Sequence, residues 1–299
     1  MNERRSTRTV VDGWVVLDKP VGMTSTHAVS RLKRIYNGKK AGHAGTLDPL
    51  ASGILPIAFG EATKTVPFVQ DGEKAYSFTV RWGVETDTDD ADGKATRESE
   101  ARPTIGDIEA LLPRFTGDIL QVPPQYSAIK IAGERAYDLA RDGETVELKP
   151  RPVTIHRLSI VDATEEETRL VMECGKGAYV RSIARDLGRL LGCFGHVSAL
   201  RRTRVGPFYE EDSYTLDEIE GGEAGNALLS VEAGLTELPC VIVDRDAAAR
   251  LRRGGSLILR GRDAPAGGIV YAACGGVPVA FGPVVEGALE PSRVFNLPF

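Results

Sequence analysis

Cysteine, histidine and aromatic residues are scarce: four Cys, four His and 6% aromatics in 299 residues. Cys174, Cys193, Cys240 and Cys274 lie far apart and form no C-x-x-C pair. A small disulfide-stapled scaffold is thereby excluded, and free, mostly buried thiols in a reducing compartment are expected. His27, His43, His156 and His196 show no ligand spacing with those cysteines, so no zinc site is expected. No stretch approaches the roughly 18 consecutive apolar residues of a membrane helix. The basic N-terminus has no apolar h-region behind it, and Arg4–Arg5 alone makes no twin-arginine signal, so an unexported, cytoplasmic protein is expected. A G-x-S-x-G elbow and a P-loop are both missing. Around Gly175 and Gly177, Val180 stands where a dinucleotide fingerprint needs its third glycine, and the acidic partner about 20 residues on is absent. In TDTDDADG, aligning Gly93 to the glycine of a calcium loop puts Thr88 and Ser99 where Asp and Glu are needed.

What is present suits a globular chain. Hydrophobic residues make up 42% and charged residues 26%, enough for a real core and a length compatible with one large domain or two. The net charge of −5 argues on its face against a nucleic-acid binder. Its distribution argues the other way. Residues 1–70 carry a net +5 and residues 151–207 a net +4, inside an otherwise acidic chain. If the two blocks meet in space they form a positive surface for phosphates; the alternative is solvated helix faces.

Periodicity places the main elements. GWVVLD (13–18) reads as a strand, followed by a helix capped by Thr24 or Ser25, with Ala28, Val29, Leu32, Ile35 and Tyr36 at helical spacing. Arg31, Lys33 and Arg34 fall on its other face. AGHAGTLDPLASG reads as a structured loop. AYSFTVRW (75–82) alternates, with Tyr76, Phe78, Val80 and Trp82 on one face. ETDTDDADG (85–93) reads as a turn. Pro103–Leu112 and Tyr137–Arg141 read as short helices, and 152–161 with 168–174 as a hairpin. In AYVRSIARDLGRLL, Val180, Ile183, Ala184, Leu187, Leu190 and Leu191 form an apolar stripe, while Arg181, Arg185 and Arg189 share another face. A second arginine-rich run, ALRRTRVGPF, follows. From about Pro239 short apolar runs alternate with Gly and Pro, the pattern of a small β domain.

Asp48 is the first candidate for chemistry. It lies in a loop of small residues, and Pro49 restricts its backbone toward an extended conformation. An ordinary turn aspartate bonded to its own backbone is the alternative.

Taken together, WVVLDKPVGMTS, GHAGTLDPLASGILPIAFGEATK, TDTDDADG, VPPQYSAIKIAGERAYDLAR, KGAYVRSIARDLG and LRRTRVGPF resemble, in order, the bacterial TruB-type tRNA pseudouridine-55 synthases. The resemblance runs from about Gly13 to about Phe208. It implies an α+β fold: a mixed, largely antiparallel sheet catalytic domain of pseudouridine synthase type over residues 13–238; the basic leader (1–12) before it departs from the family's pattern. It also implies a small C-terminal β (PUA-like) RNA-binding domain over 239–299, although that tail matches less clearly.

The resemblance further implies that Asp48 is the catalytic nucleophile, that Tyr76 stacks on the target base, and that Arg181 pairs with the catalytic carboxylate. Tyr179 and Leu200 would line the uracil pocket, and His43 would enter the T-loop as bases flip out. Lys19 and Pro20 belong to the LDKP motif, and Lys64 to the end of the aspartate motif. The implied reaction is isomerisation of uridine 55 in the tRNA T-loop. It breaks the bond from N1 to C1′, turns the base, and joins C5 to C1′. No atom or electron is gained or lost overall, so no cofactor is expected. A carboxylate can supply a nucleophile or a stabilising charge, and a nearby guanidinium favours its anionic form. Attack at C1′, attack at C6 and a glycal route all use the same aspartate, and Tyr76 is the candidate by position for removing the C5 proton. The expected partner is tRNA, held at the T-loop and elbow by a monomer without guide RNA or membrane. The alternatives are the same chemistry on another RNA, and an RNA-binding or RNA-folding protein without isomerase activity.

Overall fold

The structure is a computed structural model that describes residues 10–127, 130–131, 134–135, 148–261 and 265–298. In chain order its first half runs β1 (Gly13–Lys19), α1 (Ser25–Ile35), β2 (Ala41–His43), β3 (Ser52–Phe59), α2 (Val66–Asp71) and β4 (Lys74–Trp82). Next come β5 (Val84–Thr86), β6 (Ala95–Glu98), α3 (Ile105–Leu111), β7 (Gly117–Gln121), β8 (Lys130–Ile131) and β9 (Glu134–Arg135). The long hairpin β10 (Arg151–Ala163) and β11 (Glu167–Cys174) leads to α4 (Val180–Leu191), β12 (Gly195–Val205) and β13 (Phe208–Tyr209). After the single turn α5 (Leu216–Glu218) and β14 (Leu228–Leu229), the chain enters its last part: β15 (Cys240–Ile242), α6 (Arg245–Arg252), β16 (Leu257–Ile258), β17 (Ile269–Cys274), β18 (Val277–Val285), β19 (Ala288–Leu289) and β20 (Arg293–Val294).

The central sheet has the order β14-β1-β3-β12-β4-β11-β10-β7, with β2 on β3 and β13 on β12. Its neighbours are antiparallel except at β3 and β12, whose parallel register covers Arg201↔Ser52 and Arg202↔Gly53. An α+β fold with a mixed, largely antiparallel sheet is thus what the chain adopts.

Burial explains why the strands differ in pattern. Along β4, Tyr76, Phe78, Val80 and Trp82 enter the main core while the residues between them stay more exposed, so the strand alternates. The indole of Trp82 donates to Thr168 Oγ1 at 3.0 Å, which satisfies its buried N–H. β1 and β3 are apolar on both faces. Val15, Leu17, Leu55 and Ile57 join the main core; Trp14, Val16, Ile54 and Ala58 join a second core that also takes in Tyr271, Phe281 and Phe295. The second face of the central sheet is therefore covered by the C-terminal sheet, whose order is β15-β17-β18-β19-β16 with β20 on β18. The tail is β-rich as expected, with one helix, α6, and it shares its packing with the strands that carry the site. α4 lies on the main-core side with Val180, Ile183, Ala184 and Leu187 buried and Leu191 partly buried against the core, but Leu190 is about half exposed and falls outside the expected stripe.

Two other expectations change, while the expected free and mostly buried cysteines are found. The stretch read as a loop from Ala41 begins with a strand, β2, whose residues pair with Phe59, Ala58 and Ile57. The acidic turn is flanked by a small hairpin, β5 with β6. Of the four free cysteines, Cys240 is exposed and the other three are buried. The helix expected at Tyr137–Arg141 and the leader up to residue 9 lie outside the described residues. No helix among the described residues is long and apolar enough to cross a membrane.

Gly53 lets β3 approach β12. It sits at φ +96°, and a Cβ there would stand 2.2 Å from the Arg202 carbonyl oxygen. Gly53→Ala is expected to lower the unfolding free energy by about 1–3 kcal/mol or more. Urea denaturation beside the wild type checks this, and an unchanged midpoint would refute the close approach.

Candidate active site

The loop between β2 and β3 is held from two sides. Ser25, the first residue of α1, is buried and both donates to the Leu47 carbonyl (3.0 Å) and accepts from the Leu47 amide (2.9 Å). The Gly22 amide donates to the Pro49 carbonyl at 2.7 Å, and the Ala51 amide to the Asp48 carbonyl at 3.1 Å. These bonds turn a stretch of small residues into a fixed platform for one carboxylate.

That carboxylate is met by Arg181 from the first turn of α4. Arg181 Nη2 lies 2.9 Å from Asp48 Oδ2; the arginine side chain is 8% exposed and that of Asp48 38%. The guanidinium is fixed further by the Thr88 carbonyl (3.0 Å), the Tyr126 carbonyl (2.9 Å) and Asp90 Oδ2 (3.6 Å). Burial raises the carboxyl pKa of Asp90 above its ordinary value, against hydrogen bonding and the charge of Arg181. The acidic turn thus docks on α4. One turn further along the helix, Arg185 Nη1 is 3.1 Å from Asp89 Oδ2, and Arg189 Nε is 2.7 Å from Glu85 Oε2.

Asp48, Tyr76, Tyr179, Arg181 and Leu200 line one cavity of about 410 Å³, together with Lys74 and Arg202. This is within the size range of small-ligand pockets. Tyr76 presents its ring from β4, and burial pushes its hydroxyl up to about 12, opposed by the neighbouring Arg202 charge. Tyr179 caps α4, its amide and carbonyl both bound by the side chain of Gln121 at 2.8 and 3.1 Å. Leu200 supplies an apolar patch from β12. The cavity therefore combines a half-exposed carboxylate, a buried cation fixed against it, and aromatic and aliphatic faces for a flat group. Among the described residues, no cluster of three or more His, Cys, Asp or Glu side chains is placed to hold a metal ion.

The model of the TruB family pseudouridylate synthase N-terminal domain matches residues 33–180, and that of the tRNA pseudouridylate synthase B C-terminal domain matches residues 181–233. Proteins called tRNA pseudouridine synthase B are similar over nearly the whole chain. The one from Bradyrhizobium diazoefficiens is 60% identical, over 99% of this chain and 89% of its own. The one from Rhodopseudomonas palustris is 60% identical, over 96% of this chain and 81% of its own.

The chain belongs to the TruB family of pseudouridylate synthases.

Among solved structures, a crystal structure of a Cbf5-Nop10-Gar1 complex contains a chain that is 25% identical, with a TM-score of 0.73, covering 95% of this chain and 85% of that one. Residues 234–299 lie outside both family-model matches, so the boundary expected at residue 239 is drawn by neither.

The remaining family-motif residues fall elsewhere. Lys19 is fully buried behind the Asp48 loop and donates to the carbonyls of Pro20 (2.9 Å) and Met23 (2.8 Å). Burial brings its ammonium down to about 8, against the pull of Asp48. Pro20 is exposed beside it. Lys64 joins Glu61 (2.6 Å) and the Val294 carbonyl (2.9 Å), tying the central sheet to the C-terminal one. His43 ends β2; burial and then the charge of Arg202 lower its imidazole pKa, so the ring is neutral at neutral pH. None of these four lines the cavity.

The arginines of residues 181–204 do not form the open phosphate surface suggested by the charge count. Arg181 and Arg185 are buried against carboxylates, Arg189 pairs with Glu85, Arg201 grips Asp18 with two bonds of 2.9 Å, and Arg204 pairs with Glu73. Arg202, which the sequence reading left without a role, is buried in the cavity wall. The available signal was its place two residues after Leu200, on the same face of the strand.

Burial lifts the carboxyl pKa of Asp89 to about 6, above its value in the unfolded chain. The folded protein therefore binds a proton there before the unfolded chain does. This contribution favours folding below about pH 4 and is lost as pH rises through about 6. The stability of wild type minus that of Asp89→Asn is expected to fall over this window by up to about 1.4 kcal/mol per pH unit at its steepest. Chemical denaturation at pH 4 to 7 checks it, and a difference that rises with pH would refute it.

Proposed function

We propose that the protein isomerises uridine 55 in the T-loop of tRNA to pseudouridine, with Asp48 as the nucleophile. The observation that carries this reading is the Asp48 carboxylate at the cavity, ion-paired at 2.9 Å to the buried Arg181. The relatives' name, tRNA pseudouridine synthase B, at 60% identity supports tRNA as the substrate over another RNA. Monomeric action in the cytoplasm without a guide RNA belongs to the same proposal.

The target base must leave its stack to reach Asp48. Stacking on an aromatic ring such as Tyr76 returns about 1–3 kcal/mol per base. Tyr179 and Leu200 close the pocket around the base. Arg181, 2.9 Å away, keeps the carboxylate aimed while the glycosidic bond breaks, so the sugar meets an oriented group. As the detached uracil turns, C5 bonds to C1′; C5 loses its proton and N1 gains one, which leaves an isomer. With its hydroxyl pushed up to about 12, Tyr76 is a neutral phenol at neutral pH, a state suited to stacking.

Phosphate contacts come from the first basic block. Arg31 is held by Glu220 through two bonds, but Lys33, Arg34, Lys39 and Lys40 make no ion pair among the described residues. The C-terminal sheet, as a PUA-like unit over residues 239–299, is proposed to add a second RNA contact.

Tritium release from C5-labelled uridine in an unmodified tRNA transcript tests the reaction. Asp48→Asn is expected to lose release by on the order of a thousandfold or more while still binding tRNA. Release by the variant at the wild-type rate would refute the nucleophile, and tight binding without release by the wild type would favour a binding protein. Replacing Arg34, Lys39 and Lys40 with Glu is expected to weaken tRNA binding and make its salt dependence shallower, by up to about 0.9 in log–log slope per lost phosphate contact. An unchanged slope would place this surface away from the RNA.

A further inference from the structure

Arg202 is only 2% exposed, and it makes no ion pair among the described residues. Its donors go instead to backbone: Nε to the Ile54 carbonyl at 2.8 Å, Nη1 to Thr46 at 3.3 Å, and Nη2 to Gly45 at 3.1 Å. Tyr76 stands opposite Arg202 in the neighbouring strand, and its phenol lies in the field of the guanidinium. Two of the carbonyls lie just before Asp48 and one just after the loop, at the start of β3. The phenol belongs to the ring that faces Asp48 across the cavity.

The sheet explains how one side chain reaches the three carbonyls and lies beside the phenol. β12 runs between β3 and β4, with Arg202 opposite Gly53 on one side and Tyr76 on the other. An apolar side chain of similar volume would fill this space without desolvating a charge, so burying a guanidinium here is a poor device for stability alone. Its planar fork, however, binds several acceptors in one fixed arrangement, which a lysine ammonium cannot copy.

We infer that Arg202 is a positioning residue for the isomerisation, locking the Asp48 loop and the Tyr76 ring into one geometry. The inference rests on the proposed role of Asp48. Misplacement of reacting groups by about 1 Å costs on the order of a hundredfold in rate. The loss therefore falls on turnover and leaves tRNA affinity alone.

The test compares Arg202→Lys with wild type in single-turnover tritium release at saturating enzyme, in tRNA binding, and in thermal melting. Turnover is expected to fall by about 30-fold or more, with Kd within about twofold and the protein folded at the assay temperature. Turnover at the wild-type rate overturns the inference, as does a loss that appears equally in Kd. If Arg202→Lys melts below the assay temperature, Arg202→Gln, which keeps an amide donor, takes its place. A second unfolded variant assigns Arg202 to stability and also overturns the inference. Asp48→Asn is run alongside. Its retained activity would sink the reading on which the inference rests, whereas an inactive Asp48→Asn with a fully active Arg202→Lys would sink the inference alone.

Discussion

Between β3 and β12 the central sheet is joined in parallel over only two residue pairs, and the chemistry hangs from that seam. Backbone pairing this short holds a strand weakly, so side chains reinforce it on both faces. Arg201 reaches across one face to Asp18 on β1, and Arg202 reaches across the other to three carbonyls around the Asp48 loop. Successive residues on a strand point to opposite faces, so a pair of adjacent arginines can clamp a seam from both sides at once. Gly53 lets the two backbones meet closely enough for both arginines to reach.

The acidic turn balances the positive charge of α4. Asp90, Asp89 and Glu85 meet Arg181, Arg185 and Arg189 at successive turns of the helix. The helix is thereby fixed in rotation and in height, which sets where Arg181 presents its guanidinium to Asp48. These partly or fully buried pairs hold cations that a charge count alone would assign to RNA. They also explain how a chain of net charge −5 keeps a concentrated cationic side chain beside the Asp48 carboxylate.

Alternation in the sequence followed the number of buried faces; β1, buried on both, was read as a short apolar run instead. β4 and the 151–174 hairpin have one face well buried and the other more open, and β4 in particular announced itself by alternation. β3 is buried on both faces, so it alternates no more than a buried helix segment does, and periodicity passed over it. Thr24 was readable as a cap because its side-chain oxygen does accept from the His27 amide. At the site, the family motifs led to Asp48, Tyr76, Tyr179, Arg181 and Leu200, which the fold gathers into one cavity. They also led to Lys19 and Lys64, whose contacts here are to backbone carbonyls behind the loop and beneath the C-terminal sheet. Motif membership does not separate a residue that faces the cavity from one that braces it. Arg202 was hidden for a related reason: its partners are backbone carbonyls, and those leave no trace in residue identity.

The second core has a consequence for how the chain is made. Trp14 and Val16 share it with Tyr271, Phe281 and Phe295, which leave the ribosome much later. Until those residues are made, the apolar face of β1 and β3 is only partly covered, a surface open to chaperones and to misassociation. Such distant partners also make for slow closure, because a long loop must be ordered before the contact forms. Nascent chains would therefore gain the full cover of the sheet that carries Asp48 only once the C-terminal strands are made, and products that stop before them would lack part of that cover even though every residue of the cavity had been translated.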